Sequence, residues 1–194
     1  FYFIKPFNYY VHMFVFKKKY FLIIESIKDI NLRNIKKYNK FVIIYRNQSN
    51  KEDIEDLKRF RKECRLKLIK FFVANDINLC VALNSDGIYL SSYNKAFKSL
   101  NLRKSNFNII GSAHNTHEIA LKVKQGCSHV LLSKLFTVDY DIKSSILGVV
   151  KFNKYLINVS TNLVPLGGIK ISNLNKLNSI NCDFFAILSE VKKK

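Results

Sequence analysis

The sequence predicts an α/β chain folded as a single compact (β/α)8 barrel, and three observations predict it. Apolar runs of strand length alternate with amphipathic stretches of helix length from Lys19 onward, about eight such units fit in the chain, and each run is apolar on successive residues. Strands of that last kind are covered on both faces, as in a parallel sheet wrapped by helices. Eight units close into a TIM barrel, here with short loops and a short or missing final helix, because little chain follows the eighth run. An open doubly wound sheet is the rival architecture.

The first strand covers residues 20–24; Ile27, Ile30, Leu32 and Ile35 then approximate a helical stripe over 27–38. Residues 41–45 make the second strand, and Ile54, Leu57, Phe60 and Cys64 mark a helix under a charged face within 51–66. A third strand within 67–74 leads to a helix over 77–83, and 87–90 is a short fourth strand. Residues 107–111 are the fifth, before a helix over 116–125 that Thr116 would cap at its start and Gly126 at its end. A sixth strand at 129–132, a helix over 147–156 and a seventh strand around Val164 follow. Beyond Gly167-Gly168, the residues Ile171, Leu174 and Leu177 recur every third position, which predicts a helix directly behind the glycines. Residues 183–188 are the eighth strand.

Residues 1–18 are an N-terminal extension to the domain at 19–194. They are aromatic and without clear period, and the chain's one methionine, Met13, stands directly before the first strand. Translation is therefore expected to start at Met13. A signal peptide carries its charge before the apolar part, whereas Lys17, Lys18 and Lys19 come after it.

The formal charge is +19, from 33 Lys and Arg against 14 Asp and Glu, which raises nucleic acid as a partner. The lysines are scattered rather than clustered, so the composition favours small anionic ligands over a nucleic-acid patch. Cys64, Cys80, Cys127 and Cys182 lie far apart in apolar surroundings, without zinc spacing or a disulfide framework, and suit a reducing cytoplasm. No apolar run reaches the roughly 20 residues that cross a bilayer as a helix. A homo-oligomer is compatible with the sequence.

In a barrel of this kind the active site forms at the C-terminal ends of the strands. Polar groups there are Arg46 after the second strand, Asn75 and Asp76 after the third, and Ser91 to Asn94 after the fourth. Ser112 and His114 end the fifth, Lys134 follows the sixth, and Gly167-Gly168 and Ser189 follow the seventh and eighth. Glycines ahead of a helix start suit a phosphate, since the backbone approaches closely and its N–H groups are unpaired. The set as a whole suits a phosphorylated or diphosphorylated small molecule.

Several segments resemble one family. Ala74-Asn75-Asp76, Ser85-Asp86-Gly87-Ile88-Tyr89-Leu90, Ile110-Gly111-Ser112-Ala113-His114-Asn115, Leu166-Gly167-Gly168-Ile169 and 182–189 occur in the order and spacing of thiamine-phosphate synthases and their relatives the thiazole tautomerases. The resemblance implies a barrel enzyme of thiamine biosynthesis that joins hydroxymethylpyrimidine diphosphate to thiazole phosphate, with Mg2+ helping diphosphate to leave. It further implies that Arg46 and Asn75 contact the diphosphate, that Asp76 is a Mg2+ ligand, and that Ser112 bonds the departing group. Gly167, Gly168 and Ser189 would cradle the thiazole phosphate.

The chain departs from the family at the diphosphate end. Of the family's Gln-x-Arg-x-Lys only Arg46 remains, and Asn94 stands where a second metal carboxylate is usual. A neutral amide is the poorer ligand for a hard cation. Lys134 or Lys143 would replace the lysine that follows the sixth strand. Three readings therefore share the site: a divergent synthase, a metal-independent tautomerase using His114 for proton transfer, and a non-catalytic binder of a phosphate ligand or nucleic acid.

Overall fold

A computed structural model of the chain describes residues 18–35, 40–47, 52–98, 107–139, 141 and 145–188. The expectations for residues 1–17, including the start at Met13, and for Lys143 and Ser189 lie outside the described residues.

Eight parallel strands form one sheet: β1 (Lys19–Ile24), β2 (Phe41–Tyr45), β3 (Lys70–Ala74), β4 (Gly87–Leu90), β5 (Asn108–Ala113), β6 (His129–Leu132), β7 (Asn162–Pro165) and β8 (Phe184–Ile187). Their order is β7-β6-β5-β4-β3-β2-β1-β8, so sequence neighbours pair throughout and β8 returns to β1. The remaining seam, between β7 and β8, is joined by the parallel bridge of Leu166 with Ala186. The barrel is therefore nearly closed, with a reduced set of helices: α1 (Ile54–Leu66), α2 (Ile77–Ala82), α3 (Thr116–Lys124) and α4 (Gly148–Asn158).

Alternate strand residues point to opposite faces, and the core divides accordingly. Phe21, Ile23, Val42, Ile44, Phe72, Tyr89, Ile110, Leu131, Val164 and Ala186 form one buried cluster drawn from all eight strands and from no helix, which is the barrel lumen. Their neighbours, among them Leu22, Ile43, Phe71, Ile88, Ile109 and Val130, pack outward with helix residues such as Leu57, Phe60 and Ile119. Successive burial on both faces is what made these runs apolar without alternation.

Two expected helices take another form. Over 27–35, the described part of the expected helix, the chain makes two 3-10 turns, Ile27–Asp29 and Leu32–Asn34, instead of one helix. Short polar side chains close them: Ser26 accepts from the Lys28 N–H and Asn31 from the Arg33 N–H, competing with the longer helical ladder. Ile30, Leu32 and Ile35 are buried all the same. Behind the glycines runs a 3-10 helix, Ile171–Ser179, whose three residues per turn give the observed spacing directly; Leu174, Leu177 and Ile180 are buried. Its N-cap is Lys170, so the glycine turn is not itself a helix N-terminus. On α3 the cap is Asn115, whose side chain accepts from the Glu118 N–H at 2.9 Å, and not Thr116. Gly126 lies just past that helix at φ +75°, as expected of a terminating glycine.

None of the four cysteines is in a disulfide. Among the described residues no helix is long and apolar enough to cross a membrane.

Candidate active site

The alternation that fills the lumen continues past the strand ends. Two positions beyond Ile44 stands Arg46, beyond Tyr89 Ser91, beyond Ile110 Ser112, and beyond Leu131 Ser133. These residues line a cavity of about 250 Å³ at the C-terminal mouth, together with Tyr93, His114, Val138 and the turn Gly167-Gly168-Ile169. Two larger hollows take nothing from the strands' C-terminal ends. One, of about 570 Å³, lies at the opposite end near His129, Asn162 and Asp183, and one of about 690 Å³ lies between α3 and α4.

Arg46 is the main positive group of the mouth. Its Nη2 is 3.8 Å from Glu25 Oε1, a long ion pair, and its Nε is buried with no hydrogen-bond partner among the described residues. A buried donor left unmade costs about 1–3 kcal/mol, so Nε is open to an acceptor from a ligand, while the guanidinium also hydrogen-bonds the Tyr89 phenol. Tyr89 lies beside it, buried in the upper lumen. Burial pushes the Tyr89 phenol up, opposed in part by a hydrogen bond from Ser112 and the charge of Arg46. The phenol is thus a neutral donor.

At the end of β5, His114 Nδ1 lies 2.9 Å from Ser133 Oγ, and the His114 backbone N–H donates to Glu118 Oε2 at 2.8 Å. Ser112, buried two residues earlier on β5, shares the cavity with them.

The glycine turn is held against the loop after β6. Leu135 N–H donates to Leu166 O at 2.9 Å and Phe136 N–H to Gly167 O at 3.0 Å. Gly167 and Gly168 have φ of +95° and +66°. A Cβ on Gly168 would sit 2.4 Å from Thr137 O and 2.5 Å from Phe136 O, so only glycine permits this approach. The N–H groups of Gly168 and Ile169 meet no acceptor among the described residues, while the Gly168 carbonyl accepts from Asn173 Nδ2 at 2.8 Å. Successive free N–H groups in a left-handed turn form an anion-binding concavity.

Other expected residues have different surroundings. Asn75, at φ +60°, accepts through Oδ1 from Ser91 N–H and Oγ–H, both at 3.0 Å, and from Asn94 Nδ2 at 3.1 Å. Its Nδ2 donates to the Tyr93 hydroxyl at 3.1 Å, so Asn75 is a strut for the loop after β4. The Lys134 ammonium pairs with the Asp141 carboxylate and is not among the cavity-lining groups. Asp76 is exposed and caps α2, Oδ1 accepting from Leu79 N–H at 2.9 Å.

The donor set tests the magnesium expectation. Asn94 does not fit, because its amide oxygen accepts from Ala96 N–H at 3.0 Å and its nitrogen faces Asn75. Asp76 has the right chemistry, one carboxylate oxygen uncommitted among the described residues, but it is exposed and is not among the cavity-lining groups. Mg2+ is commonly held by one or two carboxylates plus substrate phosphate oxygens, so one carboxylate is a sufficient protein share. Among the described residues no three His, Cys, Asp or Glu side chains form a metal cluster.

Residues 25–191 match the family model described as thiamine monophosphate synthase. The chain belongs to the thiamine monophosphate synthase family. It is 29% identical over 160 residues to the thiamine-phosphate synthase of Pelagibacter ubique, covering 78% of this chain and 74% of that one. With the thiamine-phosphate synthase of Clostridioides difficile it shares 24% identity over 151 residues, 76% of this chain and 71% of the relative. The thiamine phosphate pyrophosphorylase of Pyrococcus furiosus superposes with a TM-score of 0.68 at 19% identity, over 89% of this chain and 86% of that one, which supports the barrel fold. Membership in the thiamine monophosphate synthase family supports an enzyme acting on small molecules. The cavity supplies such chemistry with a cation, neutral hydroxyl donors, a histidine and an anion-binding turn.

Of the polar cavity residues, Tyr89 and Ser133 go unmarked in the sequence, whereas Ser91 and Tyr93 stand among the polar groups after the fourth strand. Period-two counting past each strand end finds Ser91 and Ser133. Nothing in the local sequence signals Tyr89, which looks like any core aromatic.

Proposed function

We propose that the chain is a thiamine-phosphate synthase-like transferase that joins hydroxymethylpyrimidine diphosphate to thiazole phosphate and releases diphosphate. The observation that carries this reading is the presence in one cavity of two anion-binding features, the acceptor-less Arg46 Nε and the free N–H groups of Gly168 and Ile169. Two phosphorylated substrates need two such features.

In the proposed reaction the bond between the pyrimidine methylene carbon and the diphosphate oxygen breaks, its electron pair leaving with the diphosphate. The thiazole nitrogen then gives its lone pair to that carbon. Arg46 opposes the negative charge growing on the leaving oxygen, and the neutral Tyr89 phenol, which accepts from the Ser112 hydroxyl, donates a hydrogen bond beside it. The N–H groups of Gly168 and Ile169 bind the thiazole through its phosphate. Mg2+, held by Asp76 and the diphosphate's own oxygens, would neutralise leaving-group charge. A cytoplasmic location belongs to the same proposal.

The test is a coupling assay with both substrates, with and without Mg2+, following thiamine phosphate by mass. Metal-dependent product is expected. No product from folded protein that still binds thiazole phosphate would overturn the transferase reading.

The contact of His114 with Ser133 favours a second reading, metal-independent isomerisation of a thiazole phosphate, with the imidazole moving the proton. Isomerisation that persists in chelator and disappears in His114→Ala would select it.

A further inference from the structure

We propose that Lys122 and Gln125 are positioning residues that clamp the loop after β4, residues 91–96, for the pyrimidine diphosphate half of the site. The substrate in this statement rests on the transferase reading; the clamp itself rests on geometry.

Both side chains are fully buried, Lys122 on α3 and Gln125 at its C-cap. Lys122 Nζ donates to Ser91 O at 2.7 Å, to Asn94 O at 2.8 Å and to Gln125 Oε1 at 3.0 Å. Gln125 Nε2 donates to Asn94 O at 3.0 Å and to Ala96 O at 2.8 Å. An ammonium has three protons, and here each has an acceptor, so nothing of Lys122 is left over for a ligand.

The same loop is gripped from the other side. Asn75 Oδ1 takes the Ser91 N–H, the Ser91 hydroxyl and the Asn94 amide, and the Asn94 N–H closes the turn on Ser91 O at 3.0 Å. Between these two grips, Ser91, Ser92 and Tyr93 face the cavity. Filling space does not explain the arrangement, because a methionine fills the volume of a lysine without the cost of burying a charge. The fold also makes room for this lysine: a Cβ on Gly111 of β5 would come 2.8 Å from Lys122 Cδ. Four of the five donor contacts of the pair end on carbonyls of the one loop.

The experiment compares the full chain with Lys122→Met and Gln125→Leu by amide hydrogen exchange and by steady-state kinetics. In Lys122→Met, exchange within residues 91–96 should rise by about tenfold or more while β1, β2 and β3 keep their protection. KM for the pyrimidine diphosphate should rise by about tenfold, with KM for thiazole phosphate inside about twofold. Unchanged exchange in the loop, a rise spread evenly over the barrel, or equal movement of both KM values would overturn the clamp. If Lys122→Met does not fold, Gln125→Leu, which keeps the ammonium, is judged by the same outcomes. If the wild-type chain forms no thiamine phosphate, the transferase reading fails, and the exchange measurement alone decides the clamp.

Discussion

His114 Nδ1 and Ser133 Oγ, 2.9 Å apart, tie the loop after β5 to the end of β6 inside the cavity. The imidazole is held through one nitrogen, and Nε2 is left without a partner among the described residues. A ring held in this way presents its other nitrogen in a fixed orientation. On the isomerase reading, Ser133→Ala should therefore lower thiazole phosphate isomerisation by about tenfold through kcat, with KM little changed. His114→Ala should abolish it. Proton exchange into the thiazole, followed by NMR, checks both; an unaffected rate in His114→Ala makes the histidine structural. Thiamine phosphate formation should stay within about twofold in either variant, since that reaction needs no proton transfer at this ring.

Gly168 and Gly148 share a φ of +66°, but only the first is crowded. A Cβ on Gly168 meets Thr137 O and Phe136 O, whereas one on Gly148 meets nothing within 4 Å. Gly148→Ala should cost about 1 kcal/mol, the backbone term alone. Gly168→Ala should cost about 2–3 kcal/mol or more and weaken thiazole phosphate binding, because the turn must open. Urea unfolding of the two variants side by side isolates the steric part; equal losses would show that the turn yields without strain.

The barrel was legible because burial on both faces leaves apolar residues in succession, and eight such runs have few ways to close. Over 27–35 the sequence suggests a helix because Ile30, Leu32 and Ile35 are buried at near-helical spacing, while Ser26 and Asn31 shorten the turns beneath them. At the site, Arg46, Ser112, His114 and the glycines were visible as polar or special residues at strand ends. Asn75 and Lys134 were visible too, yet their side chains are engaged by neighbouring loop residues, which residue type cannot reveal. Lys122 gave no signal, since a lysine on an amphipathic helix reads as solvent-facing until the fold buries it.

Arg46→Met should separate ligand binding from stability. The variant removes the buried donor that has no protein acceptor and keeps the apolar stem, so the unfolding midpoint should hold or rise slightly. Affinity for inorganic diphosphate should fall by about tenfold or more, the loss of a charge-assisted hydrogen bond. Calorimetric titration measures it, and unchanged affinity would place the diphosphate away from Arg46.

Burial pushes the Cys64 thiol up to about 12 and the Cys80 thiol up to about 11, from an ordinary value of 9.0. At pH 8 roughly one Cys64 in ten thousand is thiolate, so both should resist an aromatic disulfide reagent until the chain unfolds. Between pH 9 and 11 the unfolded chain loses these protons while the folded chain keeps them. Stability contributed by the neutral buried thiols is complete below pH 9 and is lost as pH rises through the folded values. The urea midpoint should drop over that window, and Cys64→Ser should flatten the drop; a drop of equal size in Cys64→Ser would assign the alkaline loss to other groups.

Asp76 has two separable tasks, and two substitutions divide them. Its Oδ1 caps α2 through Leu79 N–H, and its other oxygen is uncommitted among the described residues. Asparagine caps a helix about as well as aspartate but is a poor ligand for Mg2+. Asp76→Asn should therefore keep the unfolding free energy within about 0.5 kcal/mol of wild type while abolishing Mg2+-dependent thiamine phosphate formation. Asp76→Ala should lose both, with about 1 kcal/mol of stability gone. Thiazole phosphate binding should be unchanged in each, because the glycine turn is untouched. Retained metal-dependent turnover in Asp76→Asn would leave the carboxylate as a helix cap alone and require the cation to be held by the substrate.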